Sequence, residues 1–151
     1  IACLADVRSL PGSRYVSHFD RENLETELPK AGIEYQYFKD LGGRRKPLPE
    51  SENKNLGWRN TSFRGYADYM QTEDFENALG ELIEKAKQKR TAIMCAEAVP
   101  WRCHRSLIAD ALLVRGFSVQ DIFPSGETKN HTLTPFARTD GTQVLYPRTS
   151  A

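Results

Sequence analysis

Residues 91–116, TAIMCAEAVPWRCHRSLIADALLVRG, set an apolar run of strand length directly before a proline-punctuated turn and a helix. Thr91 to Ala96 has the length of a buried strand, while Leu107, Ile108, Ala111 and Leu112 recur at the spacing of one helix face. Polar chemistry therefore falls in the turn, on Cys95, Glu97, Arg102, Cys103, His104 and Arg105. In an open α/β sheet such a turn lies at the carboxyl end of a strand. There the first N–H groups of the next helix point outward, and ligands usually bind.

The rest of the chain repeats the alternation. Ile1 to Val7 reads as a buried strand, Leu10 to Tyr15 as a loop around Pro11 and Gly12, and Asp20 as the cap of a helix through Leu28 closed by Pro29 and Gly32. Ile33 to Phe38 has strand composition. Leu41 to Thr61 loses all apolar periodicity and predicts a long loop. Phe63 to Met70 predicts a short helix, and Thr72 caps a longer one. That helix carries Phe75, Leu79, Leu82, Ile83 and Ala86 as its apolar stripe, with Glu81/Lys85 and Glu84/Gln88 on the solvated face. Arg115 and Gly116 end the next helix, Phe117 to Phe123 supplies a further strand, and Asp140-Gly141 predicts a terminal hairpin between Phe136–Thr139 and Thr142–Tyr146. The expected fold is α/β: a mainly parallel sheet flanked by helices, Rossmann-like and three-layered, with a C-terminal β-hairpin.

A chain of 151 residues with 39% hydrophobic content fits a single domain, residues 1–151, that buries roughly two-thirds of its unfolded surface. Its net charge of +1 gives no general pull towards nucleic acid or membrane, so anion binding must come from local clusters of Lys and Arg. No apolar stretch approaches the roughly 18 residues of a membrane span, and the start has no signal-type core. A cytoplasmic protein without a membrane partner is expected. Three cysteines are too few for a secreted disulfide scaffold, so reduced thiols are expected, with Cys3 a small buried hydrophobe.

Asp6 and Arg8 alternate on one face where the first strand ends. Together they can orient a ligand's hydroxyl and anionic groups, or tie loop to sheet as an ion pair. Glu97 fits a general base if burial raises its pKa, and equally fits a partner for Arg102 or Arg105. Cys103 and His104 open the helix, where the macrodipole favours a thiolate. Consecutive helical residues point about 100° apart, so His104 alone is a weak activator of Cys103. Cys95 and Cys103 suit a redox pair, though not at C-x-x-C spacing; a metal site would need His18 or His131 as a fourth ligand, and no metal is expected. Arg102, Arg105 and the helix amides make the strongest anion feature. The loop adds Arg44, Arg45, Lys46, Lys54, Arg59 and Arg64, interleaved with Trp58, Phe63 and Tyr66, a mixture suited to base stacking beside phosphates. It suits equally a solvated loop anchored by its aromatics.

The stretches DVRSLPGSR, GIEYQYFKDLGGRR, FRGYADYM and MCAEAVPWRCHRSLIADAL resemble, along nearly the whole chain, the family catalogued as domain of unknown function 488. The resemblance implies Asp6, Arg8, Cys95, Glu97, Cys103, His104 and Arg105 as a shared polar cluster, and it carries no assigned activity. It also implies a leading strand and helix, with a T-I-G-H-S-like segment, ahead of Asp6-Val7-Arg8. This sequence starts after them, which would expose a sheet edge.

Three functions compete. The first is an enzyme acting on an anionic, nucleotide-like or phosphorylated substrate, with Arg8, Arg102 and Arg105 binding charge and Glu97, Cys103, His104 and Asp6 near the chemistry. The second is a nucleic-acid module using residues 41–66, with Arg44, Arg45 and Trp58 in contact. The third is a redox or metal switch at the thiols. The cofactor, the reaction and the oligomeric state have no signal in the sequence.

Overall fold

Strand β1 (Cys3–Asp6) pairs in parallel with β2 (Glu34–Tyr37) on one side and β3 (Thr91–Met94) on the other, so the sheet order is β2-β1-β3. In this computed structural model, residues 1–9, 19–96 and 103–148 are described. The central position of β1 follows from its sequence. Cys3, Ala5 and Val7 are fully buried on one face and Asp6 on the other, as a strand covered on both faces requires, whereas the edge strands are half-buried throughout. The ladder runs past the strand ends, with Val7 N donating to Met94 O and Phe38 N to Asp6 O.

By its internal contacts the chain forms two compact units, Ile1–Gly42 with Asp74–Ala96, and Gly43–Glu73 with Glu97–Ala151. The first unit holds the sheet with helices α1 (Arg21–Lys30) and, from Asp74 on, α3 (Glu73–Gln88). Helix α1 starts after Asp20 as expected but runs through Pro29 rather than stopping before it. One proline near a helix end forfeits a single hydrogen bond, and the last turn is closed by Gly32 (φ +77°) with Ile33 N donating to Leu28 O. On α3 the buried stripe is Phe75, Ala78, Leu79 and Leu82, while Ala86 is exposed. Lys85 does not pair with Glu81. Its ammonium lies 2.8 Å from Glu34 on β2, where Lys89 also points at 3.8 Å.

The second unit holds α2 (Thr61–Tyr69), α4 (Arg105–Val114) and two antiparallel hairpins, β4 (Gln120–Ile122) with β5 (Thr128–Asn130) and β6 (Arg138–Asp140) with β7 (Gln143–Leu145). Asn60 caps α2, its side chain accepting from Ser62 N and Phe63 N. Gly116 (φ +88°) stops α4 and Gly141 (φ +63°) turns the last hairpin, both as the sequence predicts. The strand expected within Phe117–Phe123 does form, but it does not join the parallel sheet. Its Ser-Val-Gln-Asp-Ile pattern has polar residues where a strand covered on both faces needs apolar ones, and Gly126 folds it back on β5. Among the described residues there are thus two terminal hairpins rather than one, and the parallel sheet has three strands. Among the described residues no helix is long and apolar enough to cross a membrane. The loop expected at Leu10–Tyr15 lies outside the described residues.

Candidate functional site

In the first unit the carboxyl end of β1 carries a closed polar cluster. Asp6 is fully buried, and its carboxylate accepts from Arg8 N (3.1 Å), Arg8 Nε (2.9 Å), Arg8 Nη2 (2.8 Å) and the hydroxyl of Tyr35. The strand alternation that put Asp6 and Arg8 on one face is thereby realised as a two-point ion pair. Burial works against the Arg8 charge, but the bonds and charge of Asp6 outweigh it and raise the guanidinium pKa further. Burial, then the hydrogen bond to Asp6, pushes the Tyr35 hydroxyl far above its usual range, so it stays a donor. Two residues on, Tyr37 donates to Ser9 O at 3.0 Å, and the Arg21 guanidinium lies 4.7 Å from its ring centre. Asp6 takes two of the donors of the Arg8 fork, Nε and Nη2.

In the second unit the head of α4 gathers four of the expected site residues. Cys103 and His104 lie just before the helix rather than inside it, so the angular argument against their contact does not hold: Cys103 Sγ is 3.5 Å from His104 Nδ1. The sulfur also accepts from Arg105 N at 3.4 Å, in the role an N-cap oxygen usually fills. The His104 ring packs on Tyr66, centroids 4.9 Å apart, and Tyr66 is fully buried. Gly43 brings the loop to this point. A side-chain carbon at Gly43 would come within 2.6 Å of His104 Nδ1, so only glycine lets the backbone pass. Two residues further, the Arg45 guanidinium stacks on Tyr69 at 3.7 Å, and Gly65 lets α2 press against the Arg45 carbonyl, where a Cβ would sit 2.2 Å from the oxygen. Arg45, Cys103, His104 and Arg105 are thus all tied into this one unit.

Other expected contacts fall elsewhere. Trp58 packs edge-on to Phe63 (5.0 Å) and Phe136 (4.8 Å) and against Tyr146, while Arg64 donates twice to Trp58 O. That arrangement is a loop anchored by its aromatics. Arg44, Lys46, Lys54 and Arg59 are exposed. Glu97, Arg102 and His18 lie outside the described residues, so the proposed base and one of the proposed anion-binding arginines have no placement. Cys3 is a buried free thiol as expected, whereas Cys95 and Cys103 are disulfide-bonded rather than reduced. Among the described residues no group of three His, Cys, Asp or Glu is placed to hold a metal.

A further buried polar network among the described residues lies outside the expected site residues. Asp110 of α4 is fully buried and accepts from His131 Nε2 (2.8 Å), Thr134 N (3.2 Å), Thr134 Oγ1 (2.7 Å) and the Tyr146 hydroxyl (2.7 Å). The signal was a carboxylate in the apolar run Leu107 to Leu112, because a buried carboxylate must be paired. Asp68 plays a similar part for the long loop, accepting from Leu48 N, Asn53 Nδ2 and Asn55 Nδ2.

The family model described as domain of unknown function DUF488 matches residues 1–112. The chain belongs to the DUF488 family. The DUF488 match spans β1 to most of α4, and so includes the Asp6–Arg8 pair and the head of α4; both terminal hairpins lie beyond it. No curated protein and no solved structure matches the chain.

Proposed function

We propose that this DUF488 chain is an enzyme that binds the anionic group of a phosphorylated or nucleotide-like substrate at the head of α4. One observation carries the reading: Gly43 lets the backbone abut His104, which brings the Arg44-Arg45 segment to a helix N-terminus that already holds Cys103, His104 and Arg105. The N-terminus of an α-helix carries about half a positive charge, and nearby guanidinium forks add to it. His104 supplies a ring nitrogen for proton transfer, and Arg105 and Arg45 supply charge. Arg8, already aligned by Asp6, is a second anion-binding fork within its own unit.

Calorimetric titration with inorganic phosphate and with a panel of nucleoside mono-, di- and triphosphates tests this. Binding that falls at least tenfold in Gly43→Val and Arg105→Gln is the expected result. No binding at all, or wild-type binding in both variants, overturns the proposal.

A thiol redox reading is favoured by a separate observation, that Cys95 and Cys103 are disulfide-bonded while Cys3 is free. Under denaturing conditions one titratable thiol is expected before treatment with a dithiol and three after it. Three thiols without reductant would end this reading.

A further inference from the structure

His131 stands between two carboxylates. Its Nε2 is 2.8 Å from Asp110 Oδ1 and its Nδ1 is 3.0 Å from Asp121 Oδ2. An ionised carboxylate can only accept, so both contacts are hydrogen bonds only when both ring nitrogens carry protons. A neutral imidazole turns a lone pair towards one of the carboxylates and loses that bond. The His131 side chain is 7% exposed, Asp110 0% and Asp121 22%, so water compensates poorly at the Asp110 end.

What this bridge holds is unusually dependent on it. No residue from 116 to 130, which spans the β4–β5 hairpin, is buried, and Ile122 is 48% exposed. Phe117, Val119 and Phe123, on the same face as Asp121, are only half-buried, and a two-stranded hairpin with so little buried apolar surface is marginal by itself. Asp121 belongs to β4, His131 follows β5, and Asp110 belongs to α4, so the His131 ring spans hairpin and helix. The other hairpin is secured differently: Val144 and Tyr146 are buried, Tyr146 N donates to Asn55 Oδ1, and Gln71 Nε2 donates to Val144 O.

We propose that His131 is a proton-dependent clasp that fastens the β4–β5 hairpin to α4 when doubly protonated and releases it when the imidazole becomes neutral. The charged and titratable groups around the clasp are Asp110 on α4, Asp121 on β4, and Tyr146, whose hydroxyl shares Asp110. Lys129 of β5 is opposite Asp121 in register, but its ammonium lies over the Phe123 ring at 5.4 Å. The hydrogen bond that His131 donates to Asp110, working against burial and helped by Asp121, raises the His131 pKa above its ordinary 6.5. The sign follows: the clasp is fully closed below about pH 6.5 and weakens as pH rises through the elevated folded-state pKa. Thr134 and Tyr146 keep Asp110 partly satisfied after the proton leaves, so opening is local to the hairpin.

Two NMR measurements on the whole chain test this between pH 5.5 and 8.5. The ring shifts of His131 are expected to titrate with a midpoint above 6.5. The amide protection factors of residues 120–130, corrected for the intrinsic exchange rate, are expected to fall by up to about tenfold per pH unit between 6.5 and that midpoint, while those of α4 stay constant. Asp121→Asn, at a half-exposed position that leaves Asp110 intact, is expected to lower the midpoint. A His131 midpoint at or below 6.5, hairpin protection independent of pH, or loss of protection in α4 together with the hairpin overturns the proposal.

Discussion

The backbone of Gly43 lies against the imidazole of His104 so closely that one added carbon would sit 2.6 Å from Nδ1. Close approach of loop backbone to a ring at a helix N-terminus fixes where the Arg44-Arg45 segment can go. Gly43→Val is expected to cost about 1–3 kcal/mol by overpacking, or to expel the His104 ring from Tyr66. Urea denaturation reads the first effect and the His104 ring shifts read the second; a variant unchanged in both would show that the approach is not tight.

Gly65 makes the same argument for α2. Gly65→Ala gains helix propensity of roughly 1 kcal/mol, yet its Cβ would sit 2.2 Å from the Arg45 carbonyl oxygen. A net loss of stability is the expected sign, and a stabilised variant would refute the contact.

Asp6 and Arg8 are 0% and 6% exposed, so breaking the pair strands a buried charge. Arg8→Met is expected to destabilise by about 3–5 kcal/mol, and Asp6→Leu with Arg8→Met to recover much of that, because two apolar residues strand no charge. A double-mutant cycle on unfolding free energies checks it; simple additivity is the outcome that would contradict the pair.

Asp110→Asn leaves the shape of the side chain but sets an amide among donors from His131, Thr134 and Tyr146. A loss of about 3–5 kcal/mol is expected, together with a fall of the His131 pKa towards 6.5, since the Asp110 bond is its largest raising influence. Thermal or urea unfolding and a histidine titration measure the two.

Glu34 should depend on pH with the opposite sign to His131. The hydrogen bond from Lys85 holds its pKa below the ordinary 4.5, so its contribution is present above that pH and is lost as pH falls through the lowered value. The carboxylate is 37% exposed, and solvent screening keeps the effect under about 1 kcal/mol. Glu34→Gln is expected to flatten the acid limb slightly; a larger loss near neutrality would mean that Glu34 does more than pair with lysine.

The elements whose periodicity was unambiguous were legible from residues alone. β1, β3, α3 and the stop of α4 were, because an apolar run or stripe and a left-handed glycine each act over a few residues. Phe117–Phe123 misled for the same reason. Local composition showed a strand, but which neighbour it joins depends on the polar residues that disqualify it from a covered sheet. Ala86 continued the helical period of α3, yet it is exposed.

The site divides along the same line. Sequence alone determined which side chains flank the turn between β3 and α4 and that Asp6 and Arg8 share a face. Only the tertiary structure decided that Gly43 meets His104, that Trp58 is used in packing, that Cys103 is oxidised, and that Asp110, His131 and Tyr146 converge from positions up to 36 residues apart. Strand alternation and helix spacing are local geometry, whereas the partner of a buried charge is chosen by whichever distant segments the fold happens to bring within hydrogen-bonding distance.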